Sequence, residues 1–576
     1  MDSRTAAHAL QQIAAYLELK GESSFKIRAY AGAAQAIMTV GADDLAPKLK
    51  SGELAGVRGL GPATLAVVAD LVATGESRYL EQLRQETSEG LVEMLDIPGL
   101  SPGRIHQIHE ALGISTVEEL EAAATDGRLA KVPKIGPKTA AKILKGIADA
   151  RERGSLRLYH HAIVEARRLV ESVASHPDVE RAEIAGDLRR HVEVAGKIDI
   201  VAACTTDPVA VAQSFTRIPG IERSEGEGAS VSIHFVDGAH LHLHCVRPEQ
   251  FGLALWWATG NDAHVAEVVQ GLSKHGVSLA ASGLADAKGN SIPTRDERAI
   301  YESAGLAFVE PELREGLGEV AAAERGGLPK LLTSKDIRGV LHCHTLYSDG
   351  KATIADMAAA ARERGYSYIG ITDHSQSAFY ANGMPRDRIL AQIEEIDEIN
   401  ATLTDFRVLK GVEADILADG RIDYDDDILD RLDFVVASIH SRFAMDRDGM
   451  TARILRALDD PRVTILGHPT GRLLLSRQPY PLDLDAVLEK AVALGVAVEL
   501  NADPKRLDLD WRHLKRAKQL GATVAIGPDA HSPKGLDVME VGVGIARKGW
   551  LEAADILNAG TADEVLSFAR ARRSSL

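Results

Sequence analysis

Residues 338–350 read RGVLHCHTLYSDG, an apolar strand-like run that breaks off into two histidines, His342 and His344, with Asp349 close behind. Two positions apart on a strand, both imidazoles are expected on one face. Similar run-endings recur down the chain. Beyond Lys330 there are seven histidines, and six of them (His342, His344, His374, His440, His468 and His531) stand at the ends of runs such as YIGIT, FVVASIH, VTILGHP and TVAIGPD. Only His513 does not. These runs alternate with helical segments, which predicts a parallel α/β barrel or wound sheet. In a barrel the C-terminal strand ends converge on one mouth, so residues far apart in sequence face a common site. Glu413, closing RVLKGVE, and Asp529 add hard oxygen donors able to bridge or balance divalent cations. A lone histidine is more often a satisfied core or surface residue than a ligand, but that account must be repeated six times here.

Working upstream, ERGGLPKLLTSKDIRG has glycines, a proline and no periodicity, and reads as a linker. From His160 to about Gly326 a helix (AIVEARRLVESV) precedes the β-branched, alternating stretches IDIVAAC, VSIHFV and AHLHLHCV, which predicts a mixed sheet domain. Residues up to about Arg153 read as short amphipathic helices punctuated by glycine. At 576 residues the chain is long enough for several domains. A hydrophobic share of 45% and a charged share of 26% are ordinary for a globular protein, and no apolar run spans a bilayer, so no membrane partner is expected. The opening MDSRTAAHAL lacks the basic start and apolar stretch of a signal peptide, so a start near Met1 and a cytoplasmic location are expected. Cys204, Cys245 and Cys343 are odd in number and far apart, which fits reduced thiols. A net charge of -17 argues against a broad basic surface, so any DNA contact must be local.

Such a contact is offered by three glycine-centred turns, VRGLGPATLAVV, DIPGLSPGRIHQI and VPKIGPKTAAKI. Each has the form of a helix-hairpin-helix, where glycine lets backbone N–H groups approach a phosphate at a helix start. Gly59, Gly61, Gly99 and Gly136 are the candidate positions, with Lys138 able to meet a phosphate; Lys134 stands where the first glycine of the third turn normally lies.

The segments HCHTLYSDG, ITDHS, GVEADIL, ASIHS, GHPTGR and GPDAH resemble, in order, the motifs of the polymerase-and-histidinol-phosphatase (PHP) family. The resemblance implies a distorted (β/α)7 barrel and a cluster of up to three divalent ions, manganese or zinc. His342, His344, Glu413 and Asp529 would hold one ion. Glu413 would bridge to a second on His440 and His468, and Asp349, His374 and His531 would hold the third. His342, His344, Glu413, His440 and Asp529 are the expected catalytic set, for in-line phosphoester hydrolysis by water activated on the cations. Pro528 departs from the family pattern, which usually has serine there. An amidohydrolase also begins from His-x-His, but does not predict GHP and DAH together with Glu413.

Together with FKIRAY, IAGDLRR, KIDIVAAC, PEQFGLALWWATGNDAH and IYESAGLAFVEPELREG, the turns resemble bacterial family X DNA polymerases, which carry a PHP domain at their C-terminus. The whole chain is then expected to be a multidomain α+β and α/β protein. It would comprise a helical lyase-like domain (1–85), helix-hairpin-helix fingers (86–155), a nucleotidyltransferase palm (156–245), a thumb (246–325), a linker (326–336) and the barrel (337–576). The place of a lyase lysine holds Val67, so lyase activity is not carried over. Palms of this family hold magnesium on three aspartates. Here Lys197 stands at the first and His242 at the third, leaving Asp199, so the palm is expected to be silent and without magnesium. Asp187 replaces a serine that faces the triphosphate. Glu193 shares the alternation of Asp199 and is the one conceivable substitute carboxylate. His240, His242 and His244 share one strand face; an exposed face or a different metal are the two readings. Three functions stay open: a DNA-end phosphoesterase (3′-5′ exonuclease, or processing of 3′ ends or abasic sites) on a polymerase scaffold, an active gap-filling polymerase with an attached nuclease, and a DNA-binding scaffold. Barrel motifs alone would also suit a phosphatase of small metabolites. The expected partner is gapped, nicked or 3′-ended DNA.

Overall fold

The computed structural model describes all residues except 1–2, 41–44, 75–76, 89, 92–93, 98–99, 155, 219–220, 236–238, 281–282 and 575–576. The chain divides into two compact units, Met1–Gly154 and Ser155–Leu576.

The first unit is helical, and its turns repeat. Val57, Ile97 and Val132 each follow a short 3-10 turn, and their carbonyls accept from the N–H groups of Leu60 (3.1 Å), Leu100 (3.1 Å) and Ile135 (3.0 Å). Helices Pro62–Thr74, Pro102–Leu112 and Pro137–Gly154 follow, each opened by proline, whose missing N–H is no loss at a helix start. Two apolar cores underlie this pattern. Leu10, Ile13, Leu17, Ile37 and Val68 build one, and Ile105, Ile108, Leu120, Ile143 and Ile147 the other. Val67 lies in the first core, 3% exposed.

The second unit begins with the mixed sheet predicted from alternation. Its strands are β1 (Val179–Ala185), β2 (Ile198–Cys204), β3 (Ile221–Glu225), β4 (Ser230–Phe235) and β5 (His240–Val246), in the order β1-β2-β5-β4-β3. Only β2 and β5 run parallel, and their register sets Asp199 opposite His242. Helices Phe251–Thr259 and Asp262–Lys274 follow in the thumb segment.

The barrel strands are β6 (Gly339–Cys343), β7 (Tyr368–Ile371), β8 (Arg407–Lys410), β9 (Glu413–Asp415), β10 (Val436–Ser438), β11 (Ile465–Leu466), β12 (Ala497–Asn501) and β13 (Val524–Gly527). All pairings are parallel. β8 and β9 are two halves of one strand interrupted at Gly411 and Val412, β8 pairing with β7 and β9 with β10. Seven strand positions result, and a parallel bridge between Cys343 and Ala530 joins β6 to the end of β13. This is the distorted seven-fold barrel. Apart from the partly buried ends of β8, Arg407 and Lys410, its strands are buried, as parallel strands covered on both faces must be. One layer, with Leu341, Tyr368, Leu409, Phe434, Ile465 and Ala525, packs against the last helix, Ala562–Arg573. Gly370 and Gly411 make room for the Phe434 ring, which a Cβ at either position would meet at 2.5–2.6 Å.

The segment read as a linker is packed. Leu332 is fully buried and its N–H donates to Leu551 O at 3.1 Å, while Lys330 N–H donates to Glu552. Backbone bonding to a distant loop has no periodic signature, so sequence pattern could not reveal it. Palm and barrel are also joined directly. Glu193 accepts from Trp511 Nε1 (2.8 Å) and from Arg512 (2.6 Å), and Lys548 donates to Arg190 O at 3.0 Å and pairs with Glu315.

Candidate metal centre

All nine sequence-predicted ligands meet at the mouth where the barrel strands end. β6 carries His342 and leads to His344, His374 follows β7, Glu413 opens β9, His440 and His468 lie just beyond β10 and β11, and Asp529 and His531 follow β13. The rings of His342 and His344 are 5.3 Å apart. They reach the mouth through an irregular strand end, because the register shifts between Val340 and Cys343 and His342 has a φ of 70°.

Glu413 sits at the centre, 1% exposed. Its Oε1 is 2.9 Å from His468 Nε2, 3.1 Å from His440 Nε2 and 3.4 Å from His342 Nε2; its Oε2 is 2.9 Å from His374 Nδ1 and 3.7 Å from His344 Nε2. Asp529 Oδ1 stands 3.2 Å from His344 Nε2. Asp349 Oδ1 stands 3.2 Å from His531 Nε2 and 3.8 Å from His374 Nε2. The side chains fall into overlapping groups: His342, His344 and Asp529; His374, Glu413 and His440; and His344, Asp349, His374 and His531. His374 and His344 each belong to two groups, where the family pattern gave each to one.

The donor set suits divalent cations. His342 Nε2 and both ring nitrogens of His344 are buried and make no well-formed hydrogen bond, facing carboxylate oxygens at 3.2–3.8 Å instead, a spacing that suits a cation held between them. Convergent imidazole nitrogens and carboxylates are the ligands that zinc- or manganese-type ions take.

A second layer fixes these donors. Glu499 accepts from His342 Nδ1 at 2.5 Å and from the His468 backbone N–H at 2.6 Å. Asp415 accepts from His440 Nδ1 at 2.7 Å, and Asn501 donates to Asp529 Oδ2 at 3.1 Å. Asp373 gathers Thr345, Ser348 and Gln392 beneath the His344 loop. Arg506 lies 3.6 Å from Asp529 Oδ2. Sequence reading singled out none of these five. Asp415 and Asp373 lie inside the quoted motifs GVEADIL and ITDHS, the only signal available.

Electrostatics follow from the packing. Burial opposes charge on His440, but Glu413 and Asp415 outweigh it and raise its pKa to about 9. His531 also rises to about 9, against burial, through Asp349 and Asp529. Glu413 resists the upward push of burial because His440, His374 and His342 hold it well below the carboxylate range. Burial, helped by Arg506, takes His468 down to about 4.

The DNA polymerase/3'-5' exonuclease PolX of Bacillus subtilis (strain 168) is 35% identical over 572 residues, 99% of both chains. The chain belongs to the PolX family. Segment by segment, this PolX-family chain matches a helix-hairpin-helix domain over residues 1–77, a SAM-like helix-hairpin-helix tandem over 91–149, the DNA polymerase beta thumb over 254–315 and the PHP domain over 341–475. Its PHP part is also 32% identical over 201 residues to a probable phosphatase of Caldanaerobacter subterraneus, covering 33% of this chain and 74% of that protein. A probable phosphatase of Syntrophotalea carbinolica is 31% identical over 206 residues, 33% of this chain and 79% of its own.

Elsewhere in this PolX-family chain, the palm residues meet in a cleft. Lys197 Nζ lies 2.9 Å from Asp199 Oδ1 and 3.2 Å from His242 Nδ1. Burial disfavours the Asp199 anion, but His242, His244 and the Lys197 charge hold its carboxyl far below the usual range. Asp187 is paired with Arg190 at 2.6 Å. Glu193 is bound to Trp511 and Arg512 and is not among the residues lining this cleft. The cavity above Lys197 and Asp199 holds about 1160 Å³ and is lined also by His242, His244 and Trp257. In the helical unit, Gly59 has a φ of 105° and Lys134, at the equivalent place in the third turn, a φ of 63°. Gly61, Gly136 and Lys138 lie at the starts of their helices, where Gly61 N–H donates to Thr64 Oγ1 at 2.9 Å. Gly99 lies outside the described residues. No helix among those described is long and apolar enough to cross a membrane.

Proposed function

We propose that the barrel hydrolyses DNA phosphoesters, as a 3′-5′ exonuclease or in processing 3′ ends or abasic sites. The observation that supports this reading is the convergence of buried imidazole nitrogens on the Glu413 and Asp529 carboxylates. His342, His344, Glu413 and Asp529 would hold one manganese or zinc ion, His440 and His468 a second shared with Glu413, and Asp349, His374 and His531 a third. Such ions supply Lewis acidity toward a phosphoryl oxygen and make water acidic enough to attack at neutral pH. The chain's own work is to aim them. Glu499 and Asp415 hold the Nδ1 atoms of His342 and His440, so that their Nε2 atoms are turned inward toward Glu413, and Arg506 adds positive charge beside Asp529. The Bacillus relative's name and the probable phosphatases favour this chemistry. In a manganese-dependent assay on 5′-labelled gapped DNA, Glu413→Ala is expected to abolish shortening in a folded protein. Near-wild-type hydrolysis by that variant would overturn the assignment.

The palm reading rests on Lys197, whose ammonium lies against Asp199 where two magnesium ions would need carboxylates. With one carboxylate and an adjacent cation, the palm is silent in nucleotide transfer and serves to position DNA. Gapped or nicked duplex is the partner, held by the turns around Gly59, Gly99 and Gly136. The proposed divisions remain 1–85, 86–155, 156–245, 246–325, 326–336 and 337–576. Nucleotide incorporation that disappears in Asp199→Ala but survives Glu413→Ala would favour the gap-filling polymerase instead.

A further inference from the structure

We propose that the palm cleft is a site for one transition-metal ion, held by Asp199, His242 and His244. Asp199 on β2 and His242 on β5 are register partners, and His244 lies two residues further along the same face. His242 Nδ1 is 3.5 Å and His244 Nε2 3.9 Å from Asp199 Oδ1. Donors bonded at about 2.0–2.2 Å to a tetrahedral ion lie roughly 3.3–3.6 Å apart, so the two contacts to Asp199 are already near that spacing, and all three donors lie within 4.8 Å of one another. The rings are also aimed. Ser230 Oγ engages His244 Nδ1 at 3.0 Å, leaving Nε2 to face Asp199, as outer partners orient ligating histidines elsewhere. Two histidines and one carboxylate leave coordination positions open toward the cavity of about 1160 Å³.

Lys197 is the resident competitor. Its ammonium touches the same Asp199 oxygen and the same His242 nitrogen that an ion would take, so the cleft already binds a cation there. The side chain is 41% exposed and can turn to solvent when a dication replaces it. Imidazole donors select zinc, cobalt or nickel over magnesium, which prefers oxygen ligands and keeps its waters. One such ion is bound, because Asp187, a further carboxylate lining the cleft, is paired with Arg190, and Glu193 is turned away to Trp511 and Arg512.

The test uses the full-length chain with zinc or cobalt as probe, both in the wild type and in a Glu413→Ala background that cripples the barrel. His244→Ala is expected to lower bound metal by one ion per chain in both backgrounds and to remove a cobalt absorption band. Barrel hydrolysis in the otherwise wild-type protein should be unchanged. Lys197→Ala is expected to tighten cobalt binding at this site at least about tenfold, since a like charge leaves the cation's side. Millimolar magnesium should not compete. If His244→Ala, folded by circular dichroism, retains the wild-type metal content, or if Lys197→Ala leaves cobalt affinity unchanged, the cleft holds only an internal Lys–Asp–His contact and the proposal fails.

Discussion

Glu499 lies a step behind the ligand face, yet it governs two of the histidines through His342 Nδ1 and the His468 backbone. Glu499→Gln keeps the shape but loses the charge that aims His342. Metal affinity, read by competition with a chromophoric chelator, is expected to fall about 10- to 100-fold, the usual cost of an orienting partner. Protonation sets a second expectation. In the metal-free barrel His440 and His531 have pKa values raised to about 9, against an ordinary value of 6.5. A raised histidine contributes stability fully below 6.5 and loses it as pH climbs through 9. Metal binding must displace the same protons, so it strengthens over that range. Thermal melts with EDTA and with manganese should therefore separate further at pH 9 than at pH 6.5; an equal gap at both would count against His440 and His531 as ligands. The proposed ligands were legible because histidines at the ends of strand-like runs are rare by chance. Glu499, Asp415 and Arg506 were not, since carboxylates and arginines occur throughout the surface and only tertiary proximity marks these three.

At the scale of elements, alternation and β-branching disclosed β2, β4 and β5, and the spacing of apolar runs disclosed the barrel strands. The interruption of one strand into β8 and β9 was hidden, because at Gly411 the chain gives space to Phe434, which lies just ahead of β10. Glu193 shows the same limit. Its alternation with Asp199 suggests a metal-binding carboxylate, whereas helix Trp511–Leu520, over 300 residues away, claims it. Glu193→Ala would leave the buried Trp511 N–H without its acceptor, while Arg512, half exposed, would keep Asp510. We expect it to lower unfolding free energy by about 1–3 kcal/mol in denaturant titrations, without changing the metal content of the barrel. A loss below about 0.5 kcal/mol would mean that water replaces the carboxylate at no cost.

For the whole molecule, a net charge of -17 and the three glycine-centred turns proposed to meet phosphates pull in opposite directions. Local backbone contacts then carry the binding, so affinity for gapped duplex should be indifferent to sequence and fall steeply with salt. The slope of log affinity against log salt should correspond to a few phosphates at about 0.9 each, fewer than for a protein with a broad basic face. Fluorescence anisotropy across 50–300 mM salt measures it, and a flat response would exclude the turns as the grip. Family-wide pattern made this organisation readable, but not the junction of palm and barrel, where Lys548, Glu315, Glu193 and Trp511 interlock. That junction has a consequence for traffic. With buried charges spanning it, the spacing between cleft and barrel mouth is set by the protein rather than by a swinging arm, so under the proposed function a DNA strand end that leaves one for the other would have to peel from its complement and make the journey itself. The length of unpaired tail, rather than any hinge rate, then becomes the ruler that decides which ends reach the barrel.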